Sequence, residues 1–289
     1  MKKFILKVSI FLIILIAFFS INFFINQLII RNTSVNIDNK KIFVGDSHIQ
    51  NAINPEFLPG SINIAQPAEP YILTYWKLKN VLESNQGVKV ILGFAPHNIA
   101  KFNDYKLSDS KWASEMFSRS YSIQEFNTIK NEIDIDYKEY YKTLFKIFCF
   151  YPHFNHTSYI GNFSNSTNNK IDDFEETINR HFYYKSNRTD ISELSIKYLD
   201  SIVLLISNSQ NKLILLNTPV HSNYANRVPK KIYNKYNILI ENYKSNNITI
   251  IDKFATDYND SLFLNVDHLN IYGAKMFSIE LDSLIAEIK

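Results

Sequence analysis

Apolar residues fall along the chain in two rhythms. Short runs rich in Ile, Val and Leu occupy 41–45, 61–65, 88–93, 212–217 and 247–252. Each is too short for a helix, and each has the composition of a buried strand. Between them, apolar residues recur at three and four positions over 69–83, 191–206, 232–243 and 272–288, the period of an amphipathic helix. Strands alternating with helices build βαβ units and a mainly parallel sheet. The pattern predicts an α/β fold: a three-layer sandwich around a mainly parallel five-stranded sheet, flavodoxin-like in strand order. No internal repeat is visible.

Two regions depart from this alternation. At the amino end, Lys2, Lys3 and Lys7 precede an apolar stretch over 8–19, which continues through Ile21, Phe23, Phe24 and Ile25 to 28–30. About 20 apolar residues cross a bilayer as a helix. Ser20, Asn22 and Asn26 interrupt the second half. No Ala-x-Ala cleavage signal is present, so 1–30 reads as an uncleaved signal anchor, with a cleaved signal peptide as the alternative. The leading lysines place the amino terminus in the cytoplasm and the rest of this single-pass protein outside, although Arg31, Lys40 and Lys41 stand on the far side. Residues 31–40 are polar and read as a linker to a domain over 41–289. The second departure covers about 100–190, an insertion expected to be partly helical. It is rich in Tyr and Phe, and then in Asn and Ser over 162–169.

Composition narrows the function. The chain has 289 residues and 46% hydrophobic content, enough for one sizeable core. A net charge of +3, with 20% charged residues spread evenly, argues against a nucleic-acid partner. The single cysteine, Cys149, rules out an internal disulfide and a cysteine-based zinc site; between Phe148 and Phe150 it reads as a buried structural thiol. His153, His156 and His181 lack ligand spacing on one helix face, so neither a metal site nor a cofactor is expected.

The candidate chemistry lies at two strand ends. The first strand runs into Val44-Gly45-Asp46-Ser47-His48, and ligands of open α/β sheets bind beyond the carboxyl ends of strands. Gly45 and Asp46 suit a tight turn presenting the Ser47 hydroxyl. A serine needs a base, and His268 follows the last strand on what reads as a loop, with Asp267 beside it to orient the imidazole. In a parallel sheet these two loops open at the same end. The segment 217–224 faces the same place. There His221 or Tyr224 contacts substrate, or the segment is a turn held by its Asn and Ser residues. His48 lines the pocket or simply begins the next helix.

Gly45-Asp46-Ser47 after the first strand, with Asp267-His268-Leu269-Asn270 and Gly273-Ala274 at the final helix, resembles the SGNH/GDSL-like hydrolases. The second motif is similar to an exported, membrane-anchored branch near the alginate O-acetylation proteins and the teichoic-acid D-alanine transfer protein. The resemblance covers about 41–289 in topology and is specific at these two motifs. It implies Ser47 as nucleophile and as backbone donor to an oxyanion hole, and His268 as general base. That family's acidic residue stands three positions before the histidine, where this chain has Asn265. Either Asp267 substitutes, or the site works as a Ser–His dyad. The family's second block points to Gly60 or the backbone of Ala65 and Gln66. Its third block points to Asn98 as an oxyanion donor, with His97 its neighbour. Asp46, His48, His97, His221, Tyr224 and Asn265 are the expected substrate-lining residues.

The activity so implied is ester hydrolysis or O-acyl transfer on an extracytoplasmic carbohydrate or envelope substrate. The implied partners are the membrane, that substrate and other envelope-modification proteins. The alternative is a catalytically inactive scaffold or binding protein of an envelope polysaccharide system, for which Asn265 at the acidic position speaks.

Overall fold

Five apolar runs form the central sheet. In chain order the strands are β1 (Lys41–Val44), β2 (Ser61–Asn63), β3 (Lys89–Gly93), β4 (Tyr183–Tyr184), β5 (Asn187–Arg188), β6 (Lys212–Asn217), β7 (Thr249–Asp252), β8 (Phe263–Asn265) and β9 (His268–Leu269). The helices are α1 (Lys2–Arg31), α2 (Ser47–Ala52), α3 (Tyr71–Glu83), α4 (Ser110–Ser120), α5 (Phe126–Glu132), α6 (Tyr137–Cys149), α7 (Phe174–Phe182), α8 (Glu193–Ser207), α9 (Ser222–Ala225), α10 (Lys230–Ser245) and α11 (Ile271–Glu287). These come from a computed structural model, which describes residues 1–289 apart from Asn39, Asp172, Asp173, Asn247 and Lys289. The head of the expected run 247–252 therefore lies outside the described residues.

The sheet order is β2-β1-β3-β6-β7, every pair parallel. This is the flavodoxin-like order expected from the strand–helix alternation. The strand order reverses at β1 and β3, which opens a crevice beyond their carboxyl ends. Side chains alternate between faces. Phe43, Ile91, Ile214 and Leu216 pack with Ile49 and Ala52 of α2 and with Phe277, Leu281 and Ile285 of α11. Their neighbours Ile42, Val44, Val90, Leu92 and Leu215 are just as buried and point to the other face. On that side α3 and α8 pack together.

Local chemistry sets the helix ends. Pro70 precedes α3, which starts two residues later than the periodicity suggests; proline lacks an N–H and the residue before it is driven to extended backbone. Ser192 caps α8 through Ser195 N–H, and Asn270 caps α11 through Tyr272 and Gly273 N–H. Gly273 has a second duty. A Cβ there would lie 2.2 Å from the Leu262 carbonyl oxygen, so only glycine lets α11 seat against that segment.

The chain folds as two units. One holds 36–106 and 160–289 with the whole sheet; the other holds 1–35 and 107–159. The stretch 107–159 folds as α4, α5 and α6, clustering with α1, whereas 160–190 belongs with the sheet. Helix α1 has 30 residues and is long and apolar enough to cross a membrane. Cys149, expected to be buried, is half-buried at the end of α6.

Candidate active site

Strand β1 delivers Ser47 to the crevice. Gly45 sits at φ +147°, a conformation that disfavours side chains, and a Cβ there would meet Ile49 at 3.0 Å and the Gly93 backbone at 3.3 Å. Asp46 then caps α2: one carboxylate oxygen accepts the His48 N–H at 3.0 Å. Ser47 is the first helical residue, so its own N–H has no intrahelical acceptor.

His268 arrives from the opposite end of the sequence. It was expected on a loop; it begins β9, paired antiparallel with β8 in a tight hairpin. Asn265 makes that hairpin. Its Oδ1 accepts the N–H of His268 at 2.9 Å and that of Asp267 at 3.3 Å, the local bonding by which Asn shapes turns. Across 221 positions, His268 Nε2 lies 2.8 Å from Ser47 Oγ.

The histidine tautomer follows from its neighbours. His268 Nδ1 lies 3.0 Å from Asn265 Oδ1 and 3.1 Å from Asp267 Oδ1. Both atoms are acceptors; the Asn265 amide orientation is assigned from the two backbone N–H groups it already receives. Nδ1 must therefore carry the proton, leaving the Nε2 lone pair facing the serine hydroxyl. The directed hydrogen bond goes to Asn265, while Asp267 stands close by without good hydrogen-bond alignment. Asp267 contributes its field. It is fully buried, and its Oδ2 is 3.0 Å from Arg180 and 3.5 Å from both His48 and His181. Burial by itself would raise its carboxyl, but His268, His48 and His181 hold it well below the usual carboxylate range. For His268 the balance runs the other way: burial lowers it more than Asp267 raises it, so the imidazole is neutral at neutral pH.

A second carboxylate organises the crevice floor. Asp46 Oδ2 accepts from His97 Nε2 and from Asn98 Nδ2, each at 2.7 Å. Burial raises it, and His97 overrides that to hold it well below the usual range. Asn98 also receives the Ala95 N–H through Oδ1 at 2.8 Å, so its carboxamide is tied into the Asp46 scaffold. The other candidate oxyanion donors are likewise engaged. Ala65 N–H goes to Asn63 Oδ1 and Gln66 N–H to the Gly45 carbonyl. Gly60 sits at the head of β2, the wrong end of that strand for the crevice.

The other expected lining residues are distributed unevenly. His48 and His97 stack at 3.9 Å, and His181 stacks on His97 at 4.8 Å. Tyr224 Oη lies 2.6 Å from His181 Nδ1; burial and the Asp267 charge push its phenol well above the usual range. His221 turns to Asp260 at 3.0 Å instead of joining this group. Burial and then His48 push His97 down to about 4, and burial and then His97 take His181 well below the usual value. These two rings are neutral at neutral pH. Arg180, near the end of α7, carries no signal in the sequence: it sits 87 positions from Asp267, in a segment without a motif. From the sequence, His181 beside it is weighed only as a metal ligand, not as part of this crevice.

The ligating atoms of His48, His97 and His181 lie within 4.8 Å of one another, as do those of His48, Asp267 and His268. A shared metal requires lone pairs, which lie in the ring planes, to converge on one point. Among the three histidines, rings stacked at 26° and 21° aim them side by side, a poor fit to tetrahedral coordination; in the second group both His268 nitrogens already face Ser47 and Asn265. As arranged, the site can offer a neutral imidazole to take a proton from a serine hydroxyl, with a buried carboxylate to balance the resulting charge.

No protein-family model matches the chain, and no curated protein matches it. Solved structures do. A proposed acylhydrolase from Bacteroides fragilis is 13% identical with a TM-score of 0.43, covering 91% of this chain and 95% of that one. The lipase/acylhydrolase from Enterococcus faecalis is 14% identical with a TM-score of 0.39, covering 85% and 95%. A catalytic mutant of an acetylxylan esterase from Geobacillus stearothermophilus is 11% identical with a TM-score of 0.40, covering 89% and 98%. Likeness at this level decides nothing about activity, which has to be argued from the residues themselves.

Proposed function

We propose that this chain is a serine-dependent esterase or O-acyltransferase of the SGNH type. The observation that carries the proposal is the 2.8 Å approach of Ser47 Oγ to His268 Nε2, with the proton on Nδ1. Ser47 Oγ attacks the acyl carbonyl carbon while its proton passes to Nε2. Asp267, ionised and buried, stabilises the imidazolium. The Ser47 N–H and the second Nδ2 hydrogen of Asn98, the one not given to Asp46, serve the oxyanion. The tetrahedral centre then collapses, the bond to the leaving alkoxide breaks, and that oxygen takes the proton from Nε2. Water or a sugar hydroxyl, deprotonated by the same nitrogen, resolves the acyl-enzyme into hydrolysis or transfer.

The resemblance of the two motifs supports an O-acylated carbohydrate of the cell envelope as substrate. Helix α1 is proposed as a single-pass signal anchor, with Lys2, Lys3 and Lys7 on the cytoplasmic side and the sheet unit outside. A fluorophosphonate probe tests the chemistry. Labelling of the wild type and not of Ser47→Ala is the expected result. Equal labelling of both, or of neither, favours the inactive scaffold, which the neutral Asn265 partner of His268 would suit.

A further inference from the structure

The unit built from 1–35 and 107–159 contains a feature that the chemistry above does not use. Two asparagines of the apolar helix α1, Asn22 and Asn26, are buried. With the half-buried Leu15, Phe19 and Ile29 they form one stripe at helical spacing, while most of the rest of α1 is exposed. Both amides serve the carboxyl end of α6. Asn22 Nδ2 donates to the carbonyls of Cys149 and Phe150, each at 3.2 Å. Asn26 Nδ2 donates to Phe148 O at 3.0 Å and Tyr151 O at 2.9 Å, and its Oδ1 accepts the His153 N–H at 2.7 Å. The last carbonyls of a helix have no intrahelical partner. In water they are hydrated at no cost. In an apolar medium each one left bare is expensive, and so is an asparagine on an apolar helix. Each group here answers the other's need, from opposite ends of this unit's sequence.

The outer surface of α6 carries a row of aromatic rings beside its lysines, where a soluble helix would be polar throughout. Tyr137, Tyr141 and Phe145 form an exposed stripe along α6, and Lys138, Lys142 and Lys146 form the adjacent exposed stripe. Phe150, Tyr151 and Phe154 continue it beyond the helix, Phe154 being 89% exposed. Phe19 joins the two helices through ring contacts to Phe145 and Phe150 at 5.1 and 5.5 Å. Aromatic rings beside lysines are the composition of a surface lying at a bilayer interface with anionic headgroups. A span of about 20 residues starting at Phe4 ends near Phe23. That places Asn22 and Asn26 where α1 leaves the hydrocarbon, the level at which α6 meets it.

We propose that the carboxyl end of α6 and the segment 150–154 form a second membrane-embedded element. It lies in the interfacial region of the leaflet where α1 emerges, with the α6 lysines toward anionic headgroups. This rests on the reading of α1 as a membrane anchor, and the test separates the two. Full-length protein with Cys149→Ser is reconstituted in nanodiscs of mixed zwitterionic and anionic phospholipid. A nitroxide is attached singly through Phe154→Cys, Phe11→Cys or Ser283→Cys, all at exposed positions. Collision with oxygen, which concentrates in lipid, is compared with collision with a water-soluble nickel chelate. The expected result is a preference for oxygen at 154 and 11 and for nickel at 283. Position 154 behaving like 283 while 11 prefers oxygen would overturn the embedded element and leave the anchor standing. Nickel preference at 11 as well would overturn both. An immobilised label at 154, shielded from both reagents, would mean that a protein partner or second copy covers this face, and would also overturn the proposal.

Discussion

The two units differ in how much aromatic surface they leave exposed. In the sheet unit the large rings of Phe43, Trp76, Phe94, Tyr224 and Tyr236 are fully buried, and buried polar groups converge on Ser47. In the unit of α1 and α6, Phe145, Phe150, Tyr151 and Phe154 face outward, and asparagines face in. Burial of apolar surface and satisfaction of polar groups govern both. Under the membrane proposal, what differs is the medium each surface is built to meet. The sheet unit hides its largest rings, and the polar groups buried with them include the titratable groups that gather at Ser47. The other unit shows the converse: its inward asparagines bond to backbone groups at a helix end and, among the described residues, to no titratable side chain. Buried polarity marks a reactive site only where it includes titratable groups held off their ordinary values.

That contrast can be broken most strongly at the serine. Ser47→Ala or His268→Ala is expected to lower kcat/KM on an acetyl ester by about a thousandfold or more, with folding unchanged by circular dichroism. Neither should alter label accessibility at position 154, since each unit keeps its own task. Retained turnover in either variant would remove that residue from the mechanism.

Asp267→Asn is expected to cost about a hundredfold in kcat/KM, and Asn265→Ala about tenfold, because only Asp267 carries charge to balance an imidazolium. The reverse order would make the directed bond to Asn265 the more important one. The pH profile sharpens this. His268 must be neutral to act as base, and its value is lowered by burial against the raising effect of Asp267. Wild-type activity should therefore persist below pH 6.5, the ordinary histidine value, and fall only as His268 protonates. Removing the carboxylate removes the raising influence, so the acid limb in Asp267→Asn should move to still lower pH.

Asp46 tests the scaffold. Asp46→Ala leaves His97, Asn98 and the His48 N–H without their shared acceptor, and should destabilise the fold by about 3 kcal/mol in chemical denaturation. Because its folded value is depressed, the ionised carboxylate contributes stability that is complete above the ordinary value of 3.8 and is lost as pH falls through the lower folded value. The wild-type advantage over Asp46→Asn should shrink over that window. The smallest effect belongs to the other unit. Asn26→Leu uncaps α6 and should cost about 1–2 kcal/mol, seen as faster proteolysis near 150–154 in detergent. Unchanged proteolysis would mean that the cap is dispensable.

Much of the sheet unit could be read from sequence because its signals are local. Strand runs have a short period, helices repeat at three and four, and the Ser47 and His268 motifs sit at strand ends whose positions topology determines. Arg180, and the place of His181 beside Asp267, could not be read. Both reach Asp267 from α7 by tertiary folding, and nothing in their neighbours signals it. The histidines considered together for a metal also parted: His181 joined the crevice, while His153 and His156 belong to the other unit. Asn22 and Asn26 could be read only as interruptions, since their partners are backbone carbonyls, which leave no mark on a sequence.

Acylation of Ser47 is the step on which the proposed chemistry turns. The protein is mixed with p-nitrophenyl acetate, quenched in acid during turnover, digested, and the peptide carrying Ser47 is analysed by mass spectrometry. One acetyl group on Ser47, absent when the ester is omitted and retained longer in Asp267→Asn, is the result expected. Steady release of p-nitrophenol with Ser47 never acetylated, or undiminished release from Ser47→Ala, would contradict it.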